Sequence, residues 1–447
     1  MELTDPYTVP VWTRPCSGAV TPPGSKSLTN RALVLAALAK GRTRLTGALL
    51  SRDTRLLLAG LKALGWTIEA DATGQTLEVE GSDGRIPNRS AELQVGNAGT
   101  AARFLTALVC LRPKGSFTFR SDAEMEHRPM GGLLQALQRL GARFEFHGAA
   151  EAFPFTVHTS GLAGGHWEVE ATASSQMLSA LLMVAPCAAS DVHLCSGPVR
   201  PAFVEMTCRL LQVFGVTVTG NMETGFRIPA RGIPGDRREY AIEADATAAS
   251  YFAALPLVTG GELTLSGLSA DSLQGDTRFL DLMRRFGVSV SPASGNGLLI
   301  KREGPLPQGE VTVDMGHFSD TFLTLAAVAP LLPALVRIEG IGHTRFQETD
   351  RIKAVATELE RCGVHVEEGD DSVSVGGFAR GFPSLETVSV DTYKDHRVAM
   401  AFSLLGCHDR RGDGTPWMEI RDPACCGKTF PGYFDILNKL YLKSHDK

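Results

Sequence analysis

Several signatures of common protein classes are missing from this chain of 447 residues. It has no excess of basic charge: 44 Lys and Arg stand against 49 Asp and Glu, a formal net charge of −5. A general nucleic-acid binder needs a basic face to neutralise phosphates. That class is excluded, although a local basic cleft is not. The nine cysteines show no C-x-x-C and no Cys/His ligand spacing, and only Cys425 and Cys426 are close in sequence. Neither a zinc site nor a disulfide framework is suggested, so reduced thiols are expected. The opening MELTDPYTVP has no basic stretch followed by an apolar one, and no signal peptide is expected. The most apolar stretches, 177–189 and 322–336, are interrupted by Pro186, Pro330 and Pro333 and fall short of the roughly 20 residues of a bilayer span. A cytoplasmic, non-membrane protein is the expectation.

Familiar catalytic motifs are missing too. Gly427-Lys428-Thr429 resembles the end of a P-loop, but the position that needs the upstream glycine is Asp422. Gly295 and Gly297 are followed by Leu298, Leu299 and Ile300 rather than a third glycine, so no dinucleotide fingerprint exists. There is no G-x-S-x-G elbow and no H-E-x-x-H.

What is present is globular in composition, 43% hydrophobic and 21% charged, and too long for one ordinary core. Its organising feature is a repeat. Five segments end in Gly65, Gly141, Gly215, Gly287 and Gly363. Counting back eight, four and one from each glycine gives Leu57/Leu61/Leu64, Leu133/Leu137/Leu140, Thr207/Leu211/Phe214, Phe279/Met283/Phe286 and Val355/Leu359/Cys362. That spacing predicts five amphipathic helices with left-handed glycine terminators. Each is followed by a hairpin pattern, then a short strand running into a mostly apolar helix. The last apolar residues of those strands are Val20, Val95, Val169, Ile242, Val313 and Val390, at intervals of 75, 74, 73, 71 and 77 residues. Any long α/β protein yields isolated echoes, but six aligned junctions and five aligned glycines argue against coincidence. Six units divide naturally into two three-unit domains, taken as 24–243 and 244–447 with 1–23 joined to the second. The sixth unit is incomplete, and residues 1–20 are expected to supply its strands.

The unusual polar residues fall at the same phase of each repeat. They are Lys26, Ser27 and Arg31 in the first unit; Asn97 and Arg103 in the second; and Ser174, Ser175 and Gln176 in the third. Only Asp245 stands in the fourth, Asp320 in the fifth, and His396 and Arg397 in the sixth. Helix N-termini attract anions. Capping alone would explain Ser27 or Ser175, but not Lys26, Arg103 or Arg397, which oppose the helix dipole unless an anion compensates. Arg128, Glu348 with Arg351, and Lys428 form further charged clusters, and Glu348/Arg351 also reads as a plain i, i+3 ion pair. Pooled, these residues can hold a multiply charged substrate and move protons.

The segments PGSKSLTNRA, GNAGTAAR, SSQMLSALLM, ETDR, DHRVAMAFS and KTFPGYF, in this order, resemble the 5-enolpyruvylshikimate-3-phosphate synthase family over nearly the whole chain. The related UDP-N-acetylglucosamine enolpyruvyl transferases would show Lys-Asn where Lys26-Ser27 stands, and a cysteine in the loop around Arg128. The resemblance implies a two-domain inside-out α/β barrel of six βαβαββ units, three per domain, with a cleft that closes on substrate. It implies transfer of the enolpyruvyl group of phosphoenolpyruvate to shikimate 3-phosphate with release of phosphate. Both partners are small molecules; no metal, organic cofactor, nucleic acid or membrane is implied, and a monomer is expected. Carried over residue by residue, Lys26, Asn97, Gly99, Arg128, Gln176, Arg351, Arg397 and Lys428 bind phosphoenolpyruvate. Lys26, Ser27, Arg31, Ser174, Ser175, Gln176, Asp320 and Gln347 hold shikimate 3-phosphate.

For catalysis, the resemblance makes Glu348 the candidate general acid, with a proton affinity raised by desolvation. Asp320 with Lys26 activates the attacking hydroxyl, and His396 stabilises charge or assists proton transfer. Two positions depart from the family pattern: Gln347 replaces a common lysine, and Ala202 or Phe203 falls where the family has a tyrosine, with Arg200 a candidate to replace the lost charge. These departures keep open an enolpyruvyl transferase with another phosphorylated acceptor, beside a non-catalytic ligand-binding relative. Glyphosate occupies the phosphoenolpyruvate site in this family; Gly99 therefore implies sensitivity, although Phe104 stands where some members have proline.

Overall fold

The computed structural model describes residues 3–235, 239–269, 271–293, 297–378 and 386–445; Gly295 lies outside them. The chain forms two compact units, Met1–Pro23 with Ala244–Lys447, and Gly24–Glu243.

The helices entered at the six junctions are Lys26–Leu38, Gly99–Val109, Ser175–Val184, Ala246–Thr259, Phe322–Val328 and His396–Gly406. They are apolar nearly all round, and such helices are stable only inside a core. Accordingly, the helices at 99–109, 322–328 and 396–406 are buried at every residue, and the others at all but their ends. In the fifth unit a short 3₁₀ turn, Ser319–Thr321, precedes the helix and carries Asp320.

The amphipathic helices are Arg52–Ala63, Gly131–Arg139, Ala202–Val213, Arg278–Arg285 and Arg351–Arg361. Every residue of their predicted stripes is buried except Leu140, which is half-buried. All five terminating glycines have φ between +73° and +100°, the left-handed region that other residues enter at a cost.

Each sheet is mixed. In three of them the junction strand pairs in parallel with the strand that follows its own helix, and a hairpin completes the sheet: 90–94, 115–120, 155–159, 143–146; 165–169, 192–196, 225–228, 219–221; and 309–314, 334–339, 372–378, 364–368. At the two chain crossings the junction strands change places. Strand 239–241 pairs with 44–46, and strand 16–20 pairs with 261–265. Among the described residues the sixth sheet has three strands, 388–390, 418–420 and 7–8. The expectation that residues 1–20 complete the sixth unit therefore divides: Tyr7–Thr8 join it, whereas Cys16–Val20 join the fourth unit's sheet. The C-terminal helix Tyr433–His445 fastens this N-terminal segment, with Tyr7 Oη donating to Asn438 Oδ1 at 2.7 Å and Ser17 N donating to Ser444 Oγ at 3.2 Å.

The glycine stops can be tested at Gly65, where φ is +100° and a Cβ would stand 2.8 Å from Pro87 Cβ and 2.9 Å from Asn88 Oδ1. Gly65→Ala is expected to cost at least about 1–2 kcal/mol, the ordinary penalty of a left-handed L-residue, read as a lower denaturant midpoint. An unchanged midpoint would contradict the role given to this glycine.

Candidate active site

In the Gly24–Glu243 unit the three buried helix starts are tied together by side chains. Asn30 Nδ2 donates to Thr100 Oγ1 at 2.7 Å, joining the first helix to the second. Arg103 Nη1 donates to Gln176 Oε1 at 2.8 Å, joining the second to the third. Arg31 Nη2 donates to Ser179 Oγ at 3.3 Å, closing the set from first to third. The helix caps are Ser25, whose Oγ accepts from Leu28 N, and Ser174, whose Oγ accepts from Gln176 N. Ser27 and Ser175 are therefore not the caps; each lies within the first turn of its helix, and capping does not account for them.

Lys26, the first residue of its helix, pairs with Asp53 at 3.3 Å. Here a protein carboxylate offsets the cation that opposes the helix dipole. Asp53 is buried in the first turn of the 52–63 helix, and nothing in its sequence neighbourhood marks it.

Arg31 is 1% exposed. Its guanidinium donates to Thr207 Oγ1 at 2.8 Å and to the carbonyls of Ser27 and Phe203, and lies over the rings of Phe104 and Phe203 at 5.3 and 5.7 Å. Among the described residues no carboxylate pairs with it, and burial pulls its pKa down to about 9. Phe203 thus meets Arg31 with both its carbonyl and its ring.

Arg128 Nη1 donates to the backbone and side-chain oxygens of Asn97, both at 3.2 Å. Its buried Nε has no hydrogen-bond partner among the described residues. A Cβ on Gly99 would stand 2.6 Å from Arg103 Nη1 and 3.1 Å from Arg128 Nη2. A side chain at this helix start would have to displace the ends of both guanidinium groups.

The other unit holds a network rather than isolated cations. Arg351, with its side chain 2% exposed, meets Asp395 at 2.7 Å, Glu348 at 2.9 Å and Asp320 at 3.3 Å. Gln347 Oε1 accepts from Arg351, and its amide donates to Asp320 Oδ1 at 3.5 Å. The second oxygen of Asp320 takes Arg397 at 2.7 Å, and Glu348 pairs with Lys428 at 3.0 Å. Asp395 also caps the helix at 396–406 through Arg397 N, and His396 Nδ1 lies 3.5 Å from the same carboxylate.

Burial alone would lower the pKa of both Arg351 and Arg397. For Arg351, Asp395 and Glu348 outweigh it and raise the pKa; for Arg397, Asp320 is the largest opposing charge. The Glu348/Arg351 ion pair is real but is not a helix pair, because Glu348 precedes the cap Asp350.

At the fourth junction Asp245 caps its helix, accepting from Ala248 N at 2.9 Å. A residue without any sequence signal lies beside it. Asp276 is 7% exposed, accepts from Thr247 Oγ1 at 2.8 Å, and has its pKa pushed up to about 7, first by burial and then by Asp320.

With these geometries in view, comparison with known proteins is direct. A family model for carboxyvinyl-transferring enzymes, EPSP synthase (3-phosphoshikimate 1-carboxyvinyltransferase), matches residues 12–437. The 3-phosphoshikimate 1-carboxyvinyltransferase of Opitutus terrae is 46% identical over 450 residues, covering 99% of each chain. That of Trichormus variabilis is 41% identical over 440 residues, covering 98% of this chain and 99% of the relative. An EPSP synthase structure from Acinetobacter baumannii shares the fold, with a TM-score of 0.77 at 21% identity and 98% coverage of both chains. The chain belongs to the EPSP synthase family.

Asp276 gives a pH test. Its carboxyl ionises near pH 4 when unfolded but only at about 7 when folded. Between those values the folded state holds the extra proton, so this group makes stability fall as pH rises, and the cost is complete above about pH 7. Asp276→Asn keeps an oxygen for Thr247 and cannot ionise. Its melting temperature relative to wild type should be higher at pH 8 than at pH 4; a pH-independent difference would contradict the buried acid.

Proposed function

We propose that this enzyme transfers the enolpyruvyl group of phosphoenolpyruvate to the 5-hydroxyl of shikimate 3-phosphate and releases inorganic phosphate. The architecture in this reading is the inside-out α/β barrel of its family, three βαβαββ units to each domain, and both substrates are small molecules. The observation that carries the reading is the state of Arg31 and Arg128. They are cations at or near helix starts that meet only uncharged acceptors among the described residues. A buried charge without a counter-ion is costly, and a phosphorylated, carboxylated ligand offsets that cost.

On the side of Gly24–Glu243, Arg31, Ser27, Ser174, Ser175 and Gln176 hold shikimate 3-phosphate. Arg128, Asn97, Gly99 and Gln176 receive phosphoenolpyruvate, and Lys26 serves both substrates. In the other unit, Arg351, Arg397 and Lys428 take the phosphate and carboxylate of phosphoenolpyruvate by charge-assisted hydrogen bonds. Asp320 and Gln347 hold the acceptor.

The ion pairs of this second unit occupy the groups that the substrate needs. Anions of phosphoenolpyruvate compete for Arg351 and Lys428, the two cations that clamp Glu348 at 2.9 and 3.0 Å. With those cations engaged elsewhere, the Glu348 carboxyl is better able to carry a proton, which it delivers to the enol methylene. Asp320 with Lys26 removes the proton of the attacking hydroxyl. The new C–O bond then forms at the enol carbon, giving a tetrahedral ketal phosphate. Loss of a methyl proton and of phosphate from that intermediate restores the double bond and yields the enolpyruvyl ether. His396 stabilises charge beside Asp395.

The experiment is Glu348→Gln with phosphate release as the readout. A loss in kcat of about 10²–10⁴-fold, the ordinary contribution of a general acid, is expected with both KM values within a few-fold of wild type. Activity within a few-fold of wild type would remove Glu348 from the mechanism.

A further inference from the structure

Outside this machinery, one cluster of side chains has a donor chemistry of its own. His193 and Cys195 are two residues apart on strand Val192–Ser196, and alternation along a strand puts them on one face. Strand Gly165–Val169 runs parallel beside it with His166 directly opposite His193. Neighbouring strands lie about 4.8 Å apart, and one donor atom from each of His166, His193 and Cys195 lies within 4.8 Å of the other two. The two imidazoles meet edge-on with centroids 5.5 Å apart, and His193 Nε2 is 3.6 Å from Cys195 Sγ.

Two backbone groups of the 224–225 turn lie against these donors. His193 Nε2, the ring atom that faces Cys195 Sγ, also lies 3.1 Å from the Thr224 carbonyl oxygen, a contact that an ion bound at Nε2 displaces. Gly225 follows with φ +75°, and a Cβ there would stand 2.6 Å from His193 Nε2 and 2.7 Å from Cys195 Sγ. Any other residue at this turn would press on both donors. Cys195 is half-buried and His166 exposed, so an ion can reach the cluster from solvent.

We infer that His166, His193 and Cys195 form a binding site for a divalent transition metal, of which Zn²⁺ suits the two-nitrogen, one-sulfur donor set best. Three protein donors leave a fourth, tetrahedral position for water. Binding converts the Cys195 thiol to thiolate and releases its proton to solvent, so affinity falls as pH is lowered. The ion clips the parallel strand pair 165–169 and 192–196, the first of which runs on to the helix start at Ser174–Gln176. Its effect is therefore on the stability of the third unit rather than on the chemical step.

The test uses the full chain, stripped of metal with a chelator and kept reduced, and titrated with Co²⁺ as a coloured substitute for Zn²⁺. One equivalent should produce a thiolate-to-cobalt charge-transfer band that Zn²⁺ discharges. Cys195→Ser should abolish the band, and His166→Ala should weaken binding by at least about tenfold. Saturating Zn²⁺ should raise the melting temperature of the wild type but not of Cys195→Ser. Absence of the band in the wild type, or its persistence in Cys195→Ser, would overturn the assignment; the second result would move the metal to another thiol.

Discussion

Six helices too apolar to face water must each begin inside the protein, and every other feature of the site follows from that constraint. A buried helix start leaves amide N–H groups without intrahelical partners, and they must be satisfied by caps or ligands. Ser25, Ser174, Asp245 and Asp395 supply caps at four of the six starts. The first two turns after these starts are where side chains can be packed tightly enough to be held in place. Lys26, Arg31, Arg103 and Arg397 occupy them. Cations are poor choices beside the positive end of a helix, so each needs compensation, and the two units provide it differently.

In the Ala244–Lys447 unit compensation is internal. Asp320, Glu348 and Asp395 surround Arg351, and Asp320 reaches Arg397. Such a network is costly to bury unless its members satisfy one another. In the proposed reaction an incoming phosphate or carboxylate would offer the arginines the same contacts. In the Gly24–Glu243 unit Lys26 has Asp53, but Arg31 rests on hydroxyl and carbonyl oxygens and two aromatic rings. One unit keeps its cations in pairs with carboxylates, and in the other Arg31 meets no carboxylate among the described residues.

The repeat was legible because it is written in spacing. Five positive-φ glycines, five buried stripes and six buried helices need only local periodicity to be recognised. The exchange of strands 16–20 and 239–241 was not legible, since pairing partners more than 190 residues distant leave no local pattern. Among site residues, the cations stood out because they violate helix electrostatics, whereas their carboxylate partners do not. Asp53 is an ordinary first-turn acid, and Asp276 sits in a short 3₁₀ turn with nothing periodic about it. Ser27 reads as the possible cap where Ser25 is the cap, because the helix begins at Lys26, two residues earlier than a cap at Ser27 would place it. The His166, His193 and Cys195 cluster escaped a search for ligand spacing for a similar reason: one donor comes from the neighbouring strand.

The central claim is that these charged helix starts serve two anionic substrates at once. It is tested most directly by following phosphate release from phosphoenolpyruvate with the purified chain, with and without shikimate 3-phosphate. Release that is negligible with phosphoenolpyruvate alone and rapid when shikimate 3-phosphate is added is the predicted result. Equal release in its absence, or no release in its presence, would contradict the account.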